Sequence, residues 1–234
     1  MQLSQVINLA THPIHDKRYE QACKHKFDNK GVLVLKQFLT PIARAAIIEE
    51  GKHKQTAAFY TNSGHNVYLT QKDPSFDDDH PLNQWVQSSK GCITDDQIAL
   101  DSPLRTLYDA PELRSFLASI LGEEKLYPYA DPLSSINLHY ASEGQELGWH
   151  FDNSSFAITL LVQSPKAGGQ FEYVTKLRDA GQGDMNYPGV GKVLKGETKA
   201  QAIAMSAGWI LYTSDAADDL LCVYRCVLCC TSTQ

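Results

Sequence analysis

Leu147-Gly148-Trp149-His150-Phe151-Asp152-Asn153, followed by Phe156-Ala157-Ile158-Thr159-Leu160-Leu161-Val162-Gln163, is the stretch that decides how this chain folds and what it does. In the second run Phe156, Ile158, Leu160 and Val162 alternate with Ala157, Thr159, Leu161 and Gln163, the period of a strand. Upstream, Ile136, Leu138 and Tyr140 share one face and Asn137 and His139 the other. Downstream, Gln170-Phe171-Glu172-Tyr173-Val174 resumes the alternation after turn chemistry at 165–169, which predicts a hairpin. If the first run is extended too, His150 and Asp152 project to one side, and an imidazole nitrogen and a carboxylate oxygen meet one metal ion. That pair is two-thirds of the 2-His-1-carboxylate face that holds iron(II) and leaves positions open for a chelating cosubstrate and dioxygen. A bare His-x-Asp also arises as a surface hydrogen-bonded pair, so context decides between the two.

Toward the N-terminus the pattern changes to helices mixed with a short strand. Gly31-Val32-Leu33-Val34-Leu35 is β-rich, and Thr40-Pro41 supplies an N-cap and a first-turn proline ahead of Ile42, Ala45, Ala46 and Glu49. Pro111 opens a segment with Leu113, Phe116, Leu117, Ile120 and Leu121 at helical spacing, and Gly122 closes it. Residues 55–102 are polar and irregular around Asp77-Asp78-Asp79-His80-Pro81, expected as a solvated loop region or, as the alternative, a lid over a substrate. The sum is an α+β chain with helices in front and short antiparallel strands behind.

Composition narrows the partners. The 234 residues are 43% hydrophobic, enough for one sizeable core, and a net charge of −6 without long runs gives no support to a nucleic-acid or anionic-membrane surface. No targeting segment or membrane-length apolar run is apparent, so the expectation is a cytoplasmic protein with a small-molecule substrate, its oligomeric state left open. Cys23 and Cys92 read as free thiols, whereas Cys222, Cys226, Cys229 and Cys230 crowd the tail.

Asn137-Leu138-His139-Tyr140, Gly144, the run 147–153, the strand 156–163 and Gly168-Gly169-Gln170-Phe171-Glu172-Tyr173-Val174 together resemble the iron(II)/2-oxoglutarate-dependent dioxygenases. Within them they are most similar to the branch of amino-acid radical halogenases and related hydroxylases, over roughly residues 27–208. The resemblance implies a double-stranded β-helix, or jelly-roll, core with N-terminal helices. It implies Fe(II), 2-oxoglutarate and dioxygen, consumed to succinate and carbon dioxide as an unactivated C–H bond is oxidised. His150 and Asp152 match the first two ligands. The halogenases carry glycine at the carboxylate position, opening a site for chloride, so Asp152 favours hydroxylation, with a free amino acid or derivative as the substrate class. Weaker candidates are Asn137 and Thr159 for the cosubstrate and Trp149 and Asn153 for the substrate; Asn137 also reads as a satisfied strand asparagine and Trp149 as a packing residue.

The resemblance fails late in the chain. The family requires a second histidine and then an arginine for the distal carboxylate of 2-oxoglutarate, yet no histidine follows His150, and Arg225 does not match the motif. Residues 209–234 differ in character from what precedes them, and the segment 211–219 resembles the translation of a transposon-type sequencing-library adapter. The expectation is therefore a dioxygenase-like domain at 1–208, incomplete at its C-terminus, and a nonnative tail at 209–234, with this chain inactive. A zinc site made from the four tail cysteines is disfavoured by their irregular spacing. His139 stands in reserve as a substitute ligand without a matching position. The rival from another class is a noncatalytic jelly-roll module that keeps the ligand pair without turnover.

Overall fold

The computed structural model describes residues 1–131, 133–152, 156–165, 170–214 and 221–225, with Ser214 and 221–225 described by backbone only. The N-terminal part is built from α1 (Leu3–Val6), α2 (Lys17–Lys30), β1 (Val32–Leu35) and α3 (Pro41–Lys54). Their limits follow from local chemistry. The Asp16 side chain accepts hydrogen bonds from the backbone amides of Arg18 and Tyr19 at the start of α2, and Gly31 ends that helix at φ 66°, a left-handed conformation that a glycine adopts without strain. Thr40 caps α3 by accepting from the Ala43 amide, with Pro41 at the first turn as the sequence predicts.

β2 (Phe59–His65) and β3 (Val86–Ile93) follow, then α4 (Pro103–Asp109), α5 (Pro111–Leu121), β4 (Leu138–Tyr140), β5 (Glu146–Phe151), β6 (Phe156–Leu161) and β7 (Gln170–Val174). α6 (Tyr187–Leu194), β8 (Gln201–Ala204), β9 (Trp209–Ser214) and β10 (Leu221–Arg225) complete the described α-helices and strands. The strands form three antiparallel sheets, ordered β1-β9-β6, β5-β10-β7-β8 and β2-β3-β4.

Period-two alternation assigns each strand face its neighbour. In β1 and β9, Leu33, Leu35, Ile210 and Tyr212 pack on the helices through Phe27, Ile47, Leu113, Phe116, Leu117 and Ile120. From the opposite face, Val32, Val34, Trp209 and Leu211 join Leu161 of β6 against Phe171, Tyr173, Ile203 and Met205 of the second sheet. A helical layer, one sheet buried on both faces and a second sheet therefore stack in order. Burial on both sides explains why 31–35 and 209–212 read as unbroken apolar runs.

Two expectations change. β6 and β7 are not a hairpin, because β6 pairs with β9 while β7 pairs with β10 and β8 in the other sheet. Alternation fixes which face of a strand is buried and leaves its lateral partner open. Residues 55–102 are also more than a loop: β2 and β3 lie within them, and the intervening turn is held by buried asparagines. Asn66 donates to the carbonyls of Thr70 and Leu82, and Asn83 to those of Asp73, Phe76 and Asp77. The segments 209–214 and 221–225, assigned from sequence to the tail, occupy interior positions of the first and second sheets.

Leu211, 1% exposed between the two sheets, tests this packing. Leu211→Ala is expected to destabilise the fold by about 2–5 kcal/mol in urea unfolding. A loss under about 1 kcal/mol would show that β9 does not fill the space between the layers.

Candidate active site

β5 carries the central residues. Its pairing with β10 shifts register between Cys222 and Tyr224, so that Gly148 and Trp149 face the single residue Val223. Such a bulge bends a strand and re-aims the side chains that follow it. Gly148 makes a second demand. A Cβ there would fall 2.6 Å from the Gln87 carbonyl oxygen and 2.9 Å from Val86 Cγ2, so only glycine lets β5 lie this close to β3.

Beyond the bulge, Phe151 is buried and turns away from the sheet interface. Tyr68 stacks on it at 5.3 Å, and the Arg178 guanidinium lies 3.8 Å from its ring centroid. Trp149 packs in the same cluster with Val67, Val190 and Val193, on the face opposite His150. His150 is opposite Cys222, which is opposite Tyr173, and Tyr173 packs toward the first sheet. His150 thus points into the space between the sheets.

There, His150 Nε2 stands 3.5 Å from Asp152 Oδ1, the two side chains being 20% and 28% exposed. The other ring nitrogen, Nδ1, donates to the Gly148 carbonyl at 2.7 Å, which directs Nε2 toward the carboxylate. Burial alone would lower the His150 pKa, but the hydrogen bonds to Asp152 and Gly148 and the Asp152 charge outweigh it and raise the pKa above the ordinary value.

His65 lies beside the pair and His139 is tied to it only through Lys90, and neither directs a lone pair at it. The His65 ring lies edge-on to His150 with centroids 6.2 Å apart. His65 Nδ1 donates to the Asn66 carbonyl at 2.9 Å, its Nε2 accepts from Ser88 Oγ at 2.6 Å, and Ser88 Oγ accepts from the Gly148 amide at 2.9 Å. This chain of bonds links β2, β3 and the bulge of β5. His139, paired with Cys92 across β3 and β4, accepts at Nε2 from Lys90 Nζ over 3.4 Å. Crowding by the surrounding protein, then the Lys90 charge, push the His139 pKa down to about 4 although solvent reaches part of the ring. Among the described residues, no three His, Cys, Asp or Glu side chains converge as a metal-binding group.

The remaining sequence candidates are dispersed. Asn137 precedes β4, donates to the Ser134 carbonyl at 3.0 Å and accepts from Cys92 Sγ at 3.5 Å. Thr159 is exposed and opposite Leu211, on the face of β6 that looks toward the second sheet. Asn153 lies outside the described residues. Lys90, His65 and Ser88 were not identified as site residues from sequence. Their strands are polar on the face that meets β5, which erases the apolar alternation that marks a strand.

The family model HalD, Halogenase D, matches residues 81–212, more than half of the chain. The chain belongs to the Halogenase D family. Among solved structures, the Halogenase D chain is similar to the non-heme alpha ketoglutarate dependent epimerase SnoN from nogalamycin biosynthesis, with a TM-score of 0.56 and 12% identity over 91% of this chain and 78% of that one. It is also similar to an oxidoreductase of the 2OG-Fe(II) oxygenase family from Burkholderia pseudomallei, with a TM-score of 0.51 and 14% identity over 90% and 85% of the two chains. These likenesses show that this Halogenase D member shares the fold of those two chains. No curated protein matches it at the sequence level, and no helix among its described residues is long and apolar enough to cross a membrane.

Two measurements check the geometry. In imidazole NMR titrations His139 is expected to stay neutral until close to pH 4 and His150 to titrate above its ordinary 6.5. The signs are opposite. Between pH 6.5 and about 4 the unfolded chain binds a proton that folded His139 refuses, so this group lowers stability as pH falls. The His150 contribution is complete below the unfolded value of 6.5 and is lost as pH rises through its higher folded pKa. Gly148→Ala is expected to destabilise by about 1–3 kcal/mol, because the Gln87 backbone must move. A change below about 0.5 kcal/mol would mean that β5 and β3 are not held this closely.

Proposed function

We propose that this chain is an iron(II)- and 2-oxoglutarate-dependent oxygenase domain with a jelly-roll core, acting on a small molecule of the free amino acid class and hydroxylating rather than halogenating it. The observation that carries the reading is the convergence of His150 Nε2 and Asp152 Oδ1, 3.5 Å apart, in the space between two antiparallel sheets. Two donors each ~2.1 Å from one ion at a right angle stand ~3 Å apart, so a small closure fits the pair to a metal. Iron(II), when bound there with 2-oxoglutarate, supplies the activation of dioxygen.

The protein's own residues orient and exclude. Gly148 O fixes the His150 tautomer, and the Tyr68–Phe151–Arg178 stack holds the strand end from which Asp152 projects. Asp152 decides the reaction type in this reading. Halogenases of the branch that the sequence resembles leave that position to glycine, whereas a carboxylate here occupies the coordination site a halide needs. With no histidine after His150, the chain as written offers two donors instead of three, and turnover is expected to be low or absent. A noncatalytic jelly-roll module that keeps the ligand pair without turnover is the alternative reading.

Anaerobic titration with ferrous ion and 2-oxoglutarate separates these readings. The weak visible charge-transfer band of the chelate is expected for the wild-type chain, and His150→Ala or Asp152→Ala is expected to weaken metal binding by at least ~10-fold. A folded wild-type chain that never develops the band leaves the binding module. In air with chloride present, any amino-acid product is expected to carry hydroxyl; a chlorinated product would overturn the hydroxylase assignment.

A further inference from the structure

Lys90 sits in the middle of β3 and shares a face with Ser88 and Cys92, the face that meets β5. A lysine on a strand ordinarily extends its ammonium into water. This one is half-buried, and its Nζ is directed to His139 Nε2, 3.4 Å away. A neutral imidazole accepts a hydrogen bond from an ammonium without neutralising it. No Asp or Glu carboxylate among the described residues comes within 4.0 Å of this nitrogen. Its charge nevertheless reaches the pair on β5: it acts on His150, and Asp152 acts on it. A partly covered positive charge with no carboxylate within 4.0 Å, on the strand face that meets β5, is an environment that a small anion completes.

We propose that Lys90, steadied by His139, receives a carboxylate of the molecule that binds beside His150 and Asp152. The inference rests on the oxygenase reading and adds a binding residue to it. 2-Oxoglutarate and a free amino acid both present a carboxylate, and Lys90 suits either source. His139 is a positioning residue here: its Nε2 is engaged by Lys90, which removes it as the substitute metal ligand considered from sequence.

The test is calorimetric titration of the full wild-type chain, Lys90→Met and Lys90→Arg. The probes are Mn(II) alone, then, with Mn(II), 2-oxoglutarate, 2-oxopentanoate, which lacks the distal carboxylate, and each of the common L-amino acids. Mn(II) affinity is expected to be equal in wild type and Lys90→Arg and no weaker in Lys90→Met, which removes a neighbouring positive charge. Lys90→Met is expected to weaken one carboxylate ligand by about tenfold or more, with Lys90→Arg restoring most of it. Loss for 2-oxoglutarate but not 2-oxopentanoate assigns the carboxylate to the cosubstrate; loss confined to an amino acid assigns it to the substrate. Equal carboxylate binding by wild type and Lys90→Met, or no carboxylate binding by a Mn(II)-loaded wild type, overturns the proposal. A wild-type chain that fails to bind Mn(II) defeats the oxygenase reading instead, and metal-free 2-oxoglutarate titration of wild type against Lys90→Met then scores the lysine by itself. His139→Gln, which keeps an acceptor, is expected to lose less carboxylate affinity than His139→Ala, with Mn(II) binding unchanged in both.

Discussion

The close approach of β5 to β3 at Gly148 is the constraint from which the geometry of the site follows. One residue without a side chain permits three contacts at once. Its Cα hydrogens face the Gln87 carbonyl, its amide donates to Ser88 Oγ, and its carbonyl accepts from His150 Nδ1. Sheet packing, imidazole tautomer and ligand direction are thereby tied to a single backbone position. Phe151 secures the other side of the strand, because it is 1% exposed and cannot rotate without dislodging Tyr68 and the residues of α6 beneath it. His150 and Asp152 flank that anchor, so neither can turn independently of it.

Electrostatics then divide the space between the sheets. Three imidazoles crowd one region, yet hydrogen bonding gives each a different task. His65 is tied to the Asn66 carbonyl and the Ser88 hydroxyl, His139 is held neutral beside an ammonium, and His150 is drawn toward its protonated form by a carboxylate. An imidazole that is readily protonated because a carboxylate lies opposite its Nε2 is also one whose Nε2 and carboxylate together suit a divalent cation. Neutrality of His139 follows from its acceptor role toward Lys90 and keeps a second positive charge from forming beside that ammonium.

Much of the framework was legible in the sequence because it is carried by apolar periodicity. The α5 face of Leu113, Phe116, Leu117 and Ile120, with Gly122 left-handed at φ 77°, lies where the spacing puts it; β1 falls within its β-rich run and β6 and β7 within their alternating runs. His150 and Asp152 come together because they are two apart, His150 within β5 and Asp152 just beyond its end. The strands β2 and β3 were not. Thr61, Ser63, His65, Ser88 and Lys90 replace apolar residues on the face turned toward β5, so the strongest local signal is missing where the site recruits polar groups. Trp149 was ambiguous between two roles because a bulge beside it changes the facing of the strand, and a bulge depends on the partner strand rather than on local sequence. The β6–β7 hairpin failed for a related reason: turn chemistry at 165–169 suggested neighbours, while pairing with β9 and β10, distant in sequence, assigns them to different sheets.

The late strands bear on activity as well as on the fold. In β9, Ile210 and Tyr212 complete the helical interface while Leu211 fills the intersheet core, so this segment contributes to both faces of its sheet. β10 lies between β5 and β7, and its backbone supplies the register shift that produces the bulge at Gly148 and Trp149. The position of His150 therefore depends on a strand that contributes no histidine to the site. A metal site of the expected kind needs a nitrogen donor in addition to this positioning, because two protein donors leave an ion held mainly by exchangeable water and cosubstrate. Whatever follows residue 208 must consequently satisfy two separable requirements: a backbone that pairs with β5, and a side chain that reaches the ion. The described strands meet the first, because β10 pairs with β5 along the register that sets the bulge next to His150.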